Sequence, residues 1–406
     1  MKILSSHRSL FTLLVALLLL AAGIVTIFIA RGFKPDLKNG KIGRTGLIVA
    51  SSVPTGAQVY LDNRLTSATN TTIAYLEPKK YKIRIQKDGY TTWEKEIEIK
   101  ADLATEIIAL LFPQAPEIKP LTTTGATSPM LSPDGTKIVY GTPGERGGIY
   151  ALTMSDTPIP FRQDSRLLAK NSAIFDYSRA RFIWDPTSKQ IVAQIMDADN
   201  KIIANLLLDS DKTGQDPKDI TGALTATLAG WQDQINTKAQ TQSLIAPDQA
   251  KSATAEAKTT KSSQSVANSQ KVSNTEKTTN SEPSAPNLLN YYPTGLIFSA
   301  DEEKILYLNR DNKYKIYDLK KKLEFTMPDF PDLISIAWYP DSNHLLVVQK
   351  DLISIIEADG TNKTTIYSGK FADVAYIHPS GTRLIILTHL AQQEGSPANL
   401  YSLNLK

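Results

Sequence analysis

One short pattern recurs five times in this 406-residue chain and limits its larger part to a repeat architecture. Ser132-Pro133-Asp134-Gly135-Thr136-Lys137 precedes Ile138-Val139-Tyr140, and Trp184-Asp185-Pro186-Thr187-Ser188-Lys189-Gln190 precedes Ile191-Val192-Ala193. Phe298–Lys304, Trp338–His344 and Ile377–Arg383 likewise precede the apolar runs Ile305–Leu308, Leu345–Val348 and Leu384–Leu387. Each copy reads as a strand, a tight turn and a buried strand, because Pro presets φ for the turn and Asp or Gly completes it. Ala300, Pro340 and Pro379 stand 40 and 39 residues apart, the length of one four-stranded blade. Pro133 and Pro186 are 53 apart, so that blade has longer loops. The 114 residues from Pro186 to Ala300 leave room for a further blade, with Trp231 near its start, and for an insertion.

These copies resemble TolB-like and WD-type propeller repeats, the stretch Ser132–Lys137 being especially TolB-like. The resemblance implies a β-propeller over residues 120–406. Five blades are visible and five to seven are expected. It implies little about function, because propellers serve unrelated tasks.

Ser9 to Ala30 is 22 residues without a charge. As a helix it measures about 33 Å, enough for a hydrocarbon core of roughly 30 Å. A signal-peptide core runs about 7–15 residues, and this run stays apolar up to Arg31, so the expectation is an uncleaved transmembrane helix over 9–30 that contacts membrane lipid. Residues 1–8 are its tail. Residues 31–44 form a basic linker carrying Arg31, Lys34, Lys38, Lys41 and Arg44 against Asp36 alone. The positive-inside rule read literally would keep the following domains in the cytoplasm, but large domains translocate largely regardless of charge. Export is the expectation, which makes the protein single-pass with its C-terminal domains outside the cytoplasm. Residues 1–45 hold seven cations and one anion of the chain's 45 and 41, so the remainder nets −2. No nucleic-acid footprint is expected on the main domains.

Residues 45–113 read as a small β-domain. Tyr81, Ile83 and Ile85 alternate with Lys82, Arg84 and Gln86, and Trp93, Ile97 and Ile99 alternate with Glu94, Glu96 and Glu98. That period of two gives each strand one buried and one wet face. Asp62-Asn63 and Asp88-Gly89 mark turns. The order Pro54-Thr55-Gly56-Ala57, Val59-Tyr60-Leu61-Asp62, Leu76-Glu77-Pro78, Tyr81 and Lys87-Asp88-Gly89-Tyr90 resembles the PEGA domain pattern, with Thr55 in place of Glu and Lys79 in place of Gly. The resemblance implies a small β-sandwich of the bacterial surface and envelope, without catalysis.

Gln232 to Asn290 contains no aromatic residue and is dominated by Ser, Thr, Ala, Lys, Gln and Asn. Such a stretch cannot bury enough apolar area to offset its ordering entropy, so 232–290 is expected to be a disordered insertion within the propeller. The chain has no cysteine, which removes disulfides, thiol nucleophiles and thiolate metal sites. No phosphate-binding loop, nucleophile elbow or metalloprotease helix is present. His7 lies in the tail, His344 and His378 fall in equivalent turn regions, and His389 follows a strand, without metal-ligand spacing. Asp134, Asp185, Asp301 and Asp341 recur in the turns, which points to structure rather than catalysis. Tyr291-Tyr292 receive no role. The sequence therefore names no catalytic, cofactor-binding or metal residue. It leads to a mainly β, non-enzymatic, membrane-anchored scaffold that presents a propeller to a protein or to cell-envelope glycan. The alternatives are a glycan-acting hydrolase with acids at a propeller face and a cytoplasm-facing scaffold.

Overall fold

The computed structural model describes residues 3–30, 33–36, 41–154, 165–248, 250–251, 289–390 and 397–406. They divide into a unit ending at Gln114 and a unit spanning Ala115–Leu405.

The first unit begins with α1 (Ile3–Ala30). Among residues with described side chains no helix is long and apolar enough to cross a membrane; those of α1 run from 11 to 27 and are all exposed. Strands β1 (Phe33–Asp36) and β2 (Lys41–Arg44) pair as a hairpin, Phe33 facing Arg44. Thr45 alone separates it from a β-sandwich. Its strands are β3 (Gly46–Val53), β4 (Gln58–Leu61), β5 (Arg64–Ala68), β6 (Thr71–Leu76), β7 (Lys80–Gln86), β8 (Trp93–Glu98) and β9 (Ala104–Leu110). They form a three-stranded sheet β6-β3-β9 and a four-stranded sheet β5-β4-β7-β8. β3 and β9 are parallel, Leu47 facing Ala104 and Val53 facing Leu110. Because successive side chains alternate, Ile48 and Ala50 of one sheet meet Val59, Ile83, Ile85 and Trp93 of the other in one core. The expected turn residues Asp62, Asn63 and Gly89 all take positive φ.

The second unit contains five four-stranded antiparallel sheets among its described residues. β10 (Ile118–Pro120) is the outermost strand of the last. Blade 1 holds β11 (Thr127–Leu131), β12 (Lys137–Thr142), β13 (Gly148–Thr153) and β14 (Ser165–Lys170). Blade 2 holds β15 (Arg181–Trp184), β16 (Gln190–Met196), β17 (Ile202–Asp209) and β18 (Lys218–Asp219), and is followed by α2 (Leu224–Ile245). Blade 3 holds β19 (Ile297–Phe298), β20 (Lys304–Leu308), β21 (Tyr314–Asp318) and β22 (Leu323–Thr326). Blade 4 holds β23 (Leu333–Trp338), β24 (His344–Gln349), β25 (Leu352–Glu357) and β26 (Thr364–Ser368). Blade 5 holds β27 (Ala375–Ile377), β28 (Arg383–Thr388) and β29 (Asn399–Asn404), with β10 pairing β29 so that Ile118 faces Leu403.

The blades close into a ring. Val139, Ile149 and Leu168 of blade 1 pack with Phe182, Trp184 and Ile191 of blade 2. Ile297 and Leu306 of blade 3 pack with Ile336, Leu345 and Val347 of blade 4. Tyr376, Ile385 and Leu387 of blade 5 return to Ile138, Tyr140 and Leu152 of blade 1. Blades 2 and 3 are joined differently. Leu224, Leu228 and Trp231 of α2 pack on Ile183 and Val192 of blade 2, while Ala246 and Ala250 beyond it pack on Leu296, Ile305 and Tyr307. This corrects two expectations. Trp231 belongs to a helix, not to a further blade. The segment from 232 is helical to Ile245 rather than disordered, because Leu224, Leu228, Trp231, Ile235 and Ala239 recur at helical spacing and are buried. The rest of that expectation, 252–288, lies outside the described residues.

All five repeated turns share one backbone scheme. The first residue's N–H donates to the sixth residue's carbonyl: Ser132 to Lys137, Asp185 to Gln190, Ser299 to Lys304, Tyr339 to His344 and His378 to Arg383, at 2.8–3.0 Å. The fourth residue's N–H donates back to the first carbonyl. That fourth residue has positive φ in every copy: Gly135 at 73°, Ser188 at 61°, Glu302 at 56°, Ser342 at 57° and Gly381 at 65°. A side chain there costs about 1–2 kcal/mol in the left-handed region, and a Cβ on Gly381 would come 2.9 Å from Tyr339 Oη. Gly381→Ala should therefore lower stability by at least about 1 kcal/mol, read as the urea unfolding midpoint of the detergent-solubilised chain. Glu302→Gly, at the same place in blade 3, removes left-handed strain but also the Gln242 bond, so it should shift the midpoint less than Gly381→Ala does.

Candidate functional site

Neighbouring turns meet along one rim, turn 1 with turn 2 and turns 3, 4 and 5 in series. The Asp134 N–H donates to Ser188 Oγ at 3.1 Å, joining turns 1 and 2, and the Asp301 N–H donates to Ser342 Oγ at 3.2 Å, joining turns 3 and 4. The Tyr339 hydroxyl donates to the Gly381 carbonyl, joining turns 4 and 5. Strand ends add a second layer. Trp184 Nε1 donates to the Met130 carbonyl at 3.1 Å, Trp338 Nε1 to the Ile297 carbonyl at 2.9 Å and Tyr376 Oη to the Pro129 carbonyl at 2.9 Å. Where α2 intervenes, the Tyr291 hydroxyl donates to the Trp184 carbonyl and the Gln242 amide to Glu302 Oε1 at 3.3 Å. Tyr291, given no role from sequence, is thus a joint of the ring.

The repeated acids work inside this frame. Asp134 Oδ1 accepts the Ser132 hydroxyl at 2.6 Å and the Thr136 N–H at 3.0 Å. Asp185 accepts the Lys189 and Gln190 N–H groups, both at 2.7 Å. Asp301 accepts the Ser299 hydroxyl at 2.6 Å and the Glu303 N–H at 3.0 Å. Asp341 accepts the Asn343 N–H at 2.8 Å and lies 2.6 Å from His344 Nδ1. Burial alone would push Asp134, Asp301 and Asp341 upward, but the donors around each outweigh it and hold all three carboxyls below their ordinary value. His344 is the sixth residue of its turn and His378 the first of its own. His378 Nδ1 meets Ser380 Oγ at 2.7 Å and its Nε2 meets Arg383 at 3.1 Å. The two histidines hold different turns and do not form one site. Among the described residues no three His, Asp or Glu side chains gather as metal ligands would.

The rim also collects charges that are distant in sequence. Lys137 Nζ donates to Ser210 Oγ and Asp211 Oδ1, both at 2.8 Å, and Arg166 lies 3.7 Å from the same carboxylate. Lys320 pairs with Glu303. In blade 3, Glu324 accepts the Tyr307 hydroxyl and the Lys315 ammonium; burial raises its carboxyl, and these two donors more than reverse the effect. Away from the rim, ahead of β27, burial first and the charge of Asp351 second hold the Asp373 carboxyl above its ordinary value. None of these groupings has a spacing that sequence reasoning could detect.

In the sandwich, the wet face of the four-stranded sheet carries the Arg84 guanidinium 4.5 Å from the centre of the Tyr60 ring. The Gln86 amide donates to the Tyr60 hydroxyl at 3.3 Å. Lys80–Glu96 at 2.8 Å and Lys82–Glu94 at 3.0 Å continue the face as exposed pairs that water screens.

The turn carboxylates give a pH dependence of definite sign. A carboxyl held below its unfolded value of 3.8 adds stability that is complete above that value and disappears as pH falls through the folded value. The urea midpoint should therefore be flat from pH 7 to 5 and drop below about pH 4. Asp341→Asn should shrink that drop, seen in the same titration.

Among solved structures the chain is similar to a TolB from Agrobacterium tumefaciens, at 13% identity over 69% of this chain and 79% of that one, with a TM-score of 0.22. It is similar to an oligogalacturonate lyase from Vibrio parahaemolyticus at 7% identity, over 89% and 98% of the chains, with a TM-score of 0.29. It is similar to the WD40 repeats of RRP9 at 8% identity, over 72% and 99%, with a TM-score of 0.27. The ring assignment rests on the sheets and their joints, not on these likenesses. No curated protein matches the chain. The sandwich has a firmer relation: residues 45–114 match the family model of the PEGA domain.

Proposed function

We propose that this chain is a membrane-anchored scaffold whose propeller, outside the cytoplasm, binds a protein or a cell-envelope glycan. The observation that carries the reading is the rim. Turn 1 is bonded to turn 2 and turns 3, 4 and 5 to one another in series, and their acids accept backbone and hydroxyl donors, so the repeat builds a stiff frame that displays the loops. The uncharged run Ser9–Ala30 supplies the tether, long enough for a hydrocarbon core. The PEGA-like sandwich follows it in the chain and the propeller comes last. In this reading recognition, not bond-making, is the activity.

Asp373 favours one second reading. A carboxyl raised above its ordinary value by burial and by the charge of Asp351 is an arrangement that serves acid–base chemistry on glycans. Asp373→Asn would abolish polysaccharide turnover by the full chain under that reading and leave envelope binding intact under the first.

Protease added to intact cells should remove a tag placed after Lys406. Protection of that tag until the cells are lysed would put the propeller in the cytoplasm and reverse the orientation.

A further inference from the structure

The two sheets of the sandwich have opposite outer surfaces. Strands β4, β5, β7 and β8 carry eight charged residues: Arg64, Lys80, Lys82, Arg84, Glu94, Lys95, Glu96 and Glu98. Strands β3, β6 and β9, of nearly the same total length, carry one, Glu106. Ile48, Ala50, Ile107 and Ala109 of this second sheet point into the core. Alternation therefore turns Leu47, Val49, Ser51, Val53, Glu106 and Ile108 outward. Val53 is 37% exposed and Ile108 59%, and Tyr75 of β6 and Leu103 just before β9 are 49% and 55% exposed. Leu47 and Val49 are half-buried. An apolar sheet face next to a charged one of equal size marks a contact surface.

We infer that this face lies on the lipid bilayer that α1 enters, an inference that rests on the membrane-anchor reading. The tether is the first argument. Phe33 faces Arg44 across the β1–β2 hairpin, so chain reach alone keeps Gly46 within roughly 25 Å of Ala30. A surface held that close to lipid meets it at a high effective concentration, whereas a second copy must diffuse to it. Charge is the second. The tether sequence 31–44 carries five cations against one anion, each cation worth about 1 kcal/mol near an anionic leaflet. Side-chain type is the third. Tyr75 and Leu103 flank the tethered end, Gly46 facing Leu76 and the Leu47 N–H donating to the Leu103 carbonyl. Tyrosine with neighbouring apolar groups suits the headgroup boundary. Glu106, facing Val49, and Asp102, paired with Arg44 beside Leu103, are the groups that oppose the contact.

The absence of cysteine allows single labels on the full chain in nanodiscs containing anionic lipid. Fluorophores go on Ile108→Cys, on Lys82→Cys of the charged sheet and on Leu18→Cys within α1, with quencher carried either on lipid chains or in water. The inference expects lipid-borne quencher to extinguish the labels at 18 and 108 and to spare the label at 82. Adding Glu106→Gln should deepen quenching at 108. A label at 18 quenched by lipid with one at 108 reached only from water, or reached by neither quencher because protein covers it, overturns this inference and keeps the anchor. A label at 18 that lipid quencher cannot reach overturns both.

Discussion

Three residues of one strand hold the propeller closed. β10 comes from the start of the second unit and completes a blade whose other strands come from the end of the chain. An open row of blades would leave the apolar faces of blades 1 and 5 in water. Their meeting through Tyr140, Leu152, Ile385 and Leu387 removes them. The Tyr376 hydroxyl on the Pro129 carbonyl and the Thr122 hydroxyl on Asn399 Oδ1, at 2.9 Å, satisfy polar groups buried by that closure. The sequence separation across the joint exceeds 240 residues, so closure carries a large loop-closure entropy that the joint's contacts must offset.

Local physics made much of the fold readable. The turns could be recognised because Pro, Asp, Ser and Gly each act within a few residues, and the structure gives all five copies the same pair of backbone bonds. The sandwich could be recognised because Tyr81, Ile83 and Ile85 alternate strictly with polar neighbours. The helix α2 was hidden by composition. Its Ser, Thr, Gln and Asn content resembles that of an unstructured stretch, and only the spacing of Leu224, Leu228, Trp231, Ile235 and Ala239 betrays it. The joints between blades were not readable at all. Nothing near Trp184 announces Met130 as its acceptor, and nothing near Lys137 announces Asp211. Such pairs are set by where the blades come to rest.

The acids illustrate how repetition and function differ. Recurrence at Asp134, Asp185, Asp301 and Asp341 pointed to structure, and each carboxylate accepts donors of its own turn. Asp373 does not recur and instead sits within the field of Asp351. The same contrast separates the two faces of the sandwich. One spreads its charges in cross-strand pairs that water already solvates. The other lacks charge and must find apolar contact elsewhere.

The path of the chain also gives the ring a mechanical sense. Tension transmitted along the backbone from the N-terminal side reaches the second unit at β10, whose pairing with β29 spans only Ile118–Pro120. That short zipper is the first mooring the load meets, backed by the Leu121 N–H on the Leu400 carbonyl and the Thr122 hydroxyl on Asn399, and peeling it would expose an unpaired strand edge. The ring is thus built to yield at its outer hem first, and to re-zip when the pull relaxes.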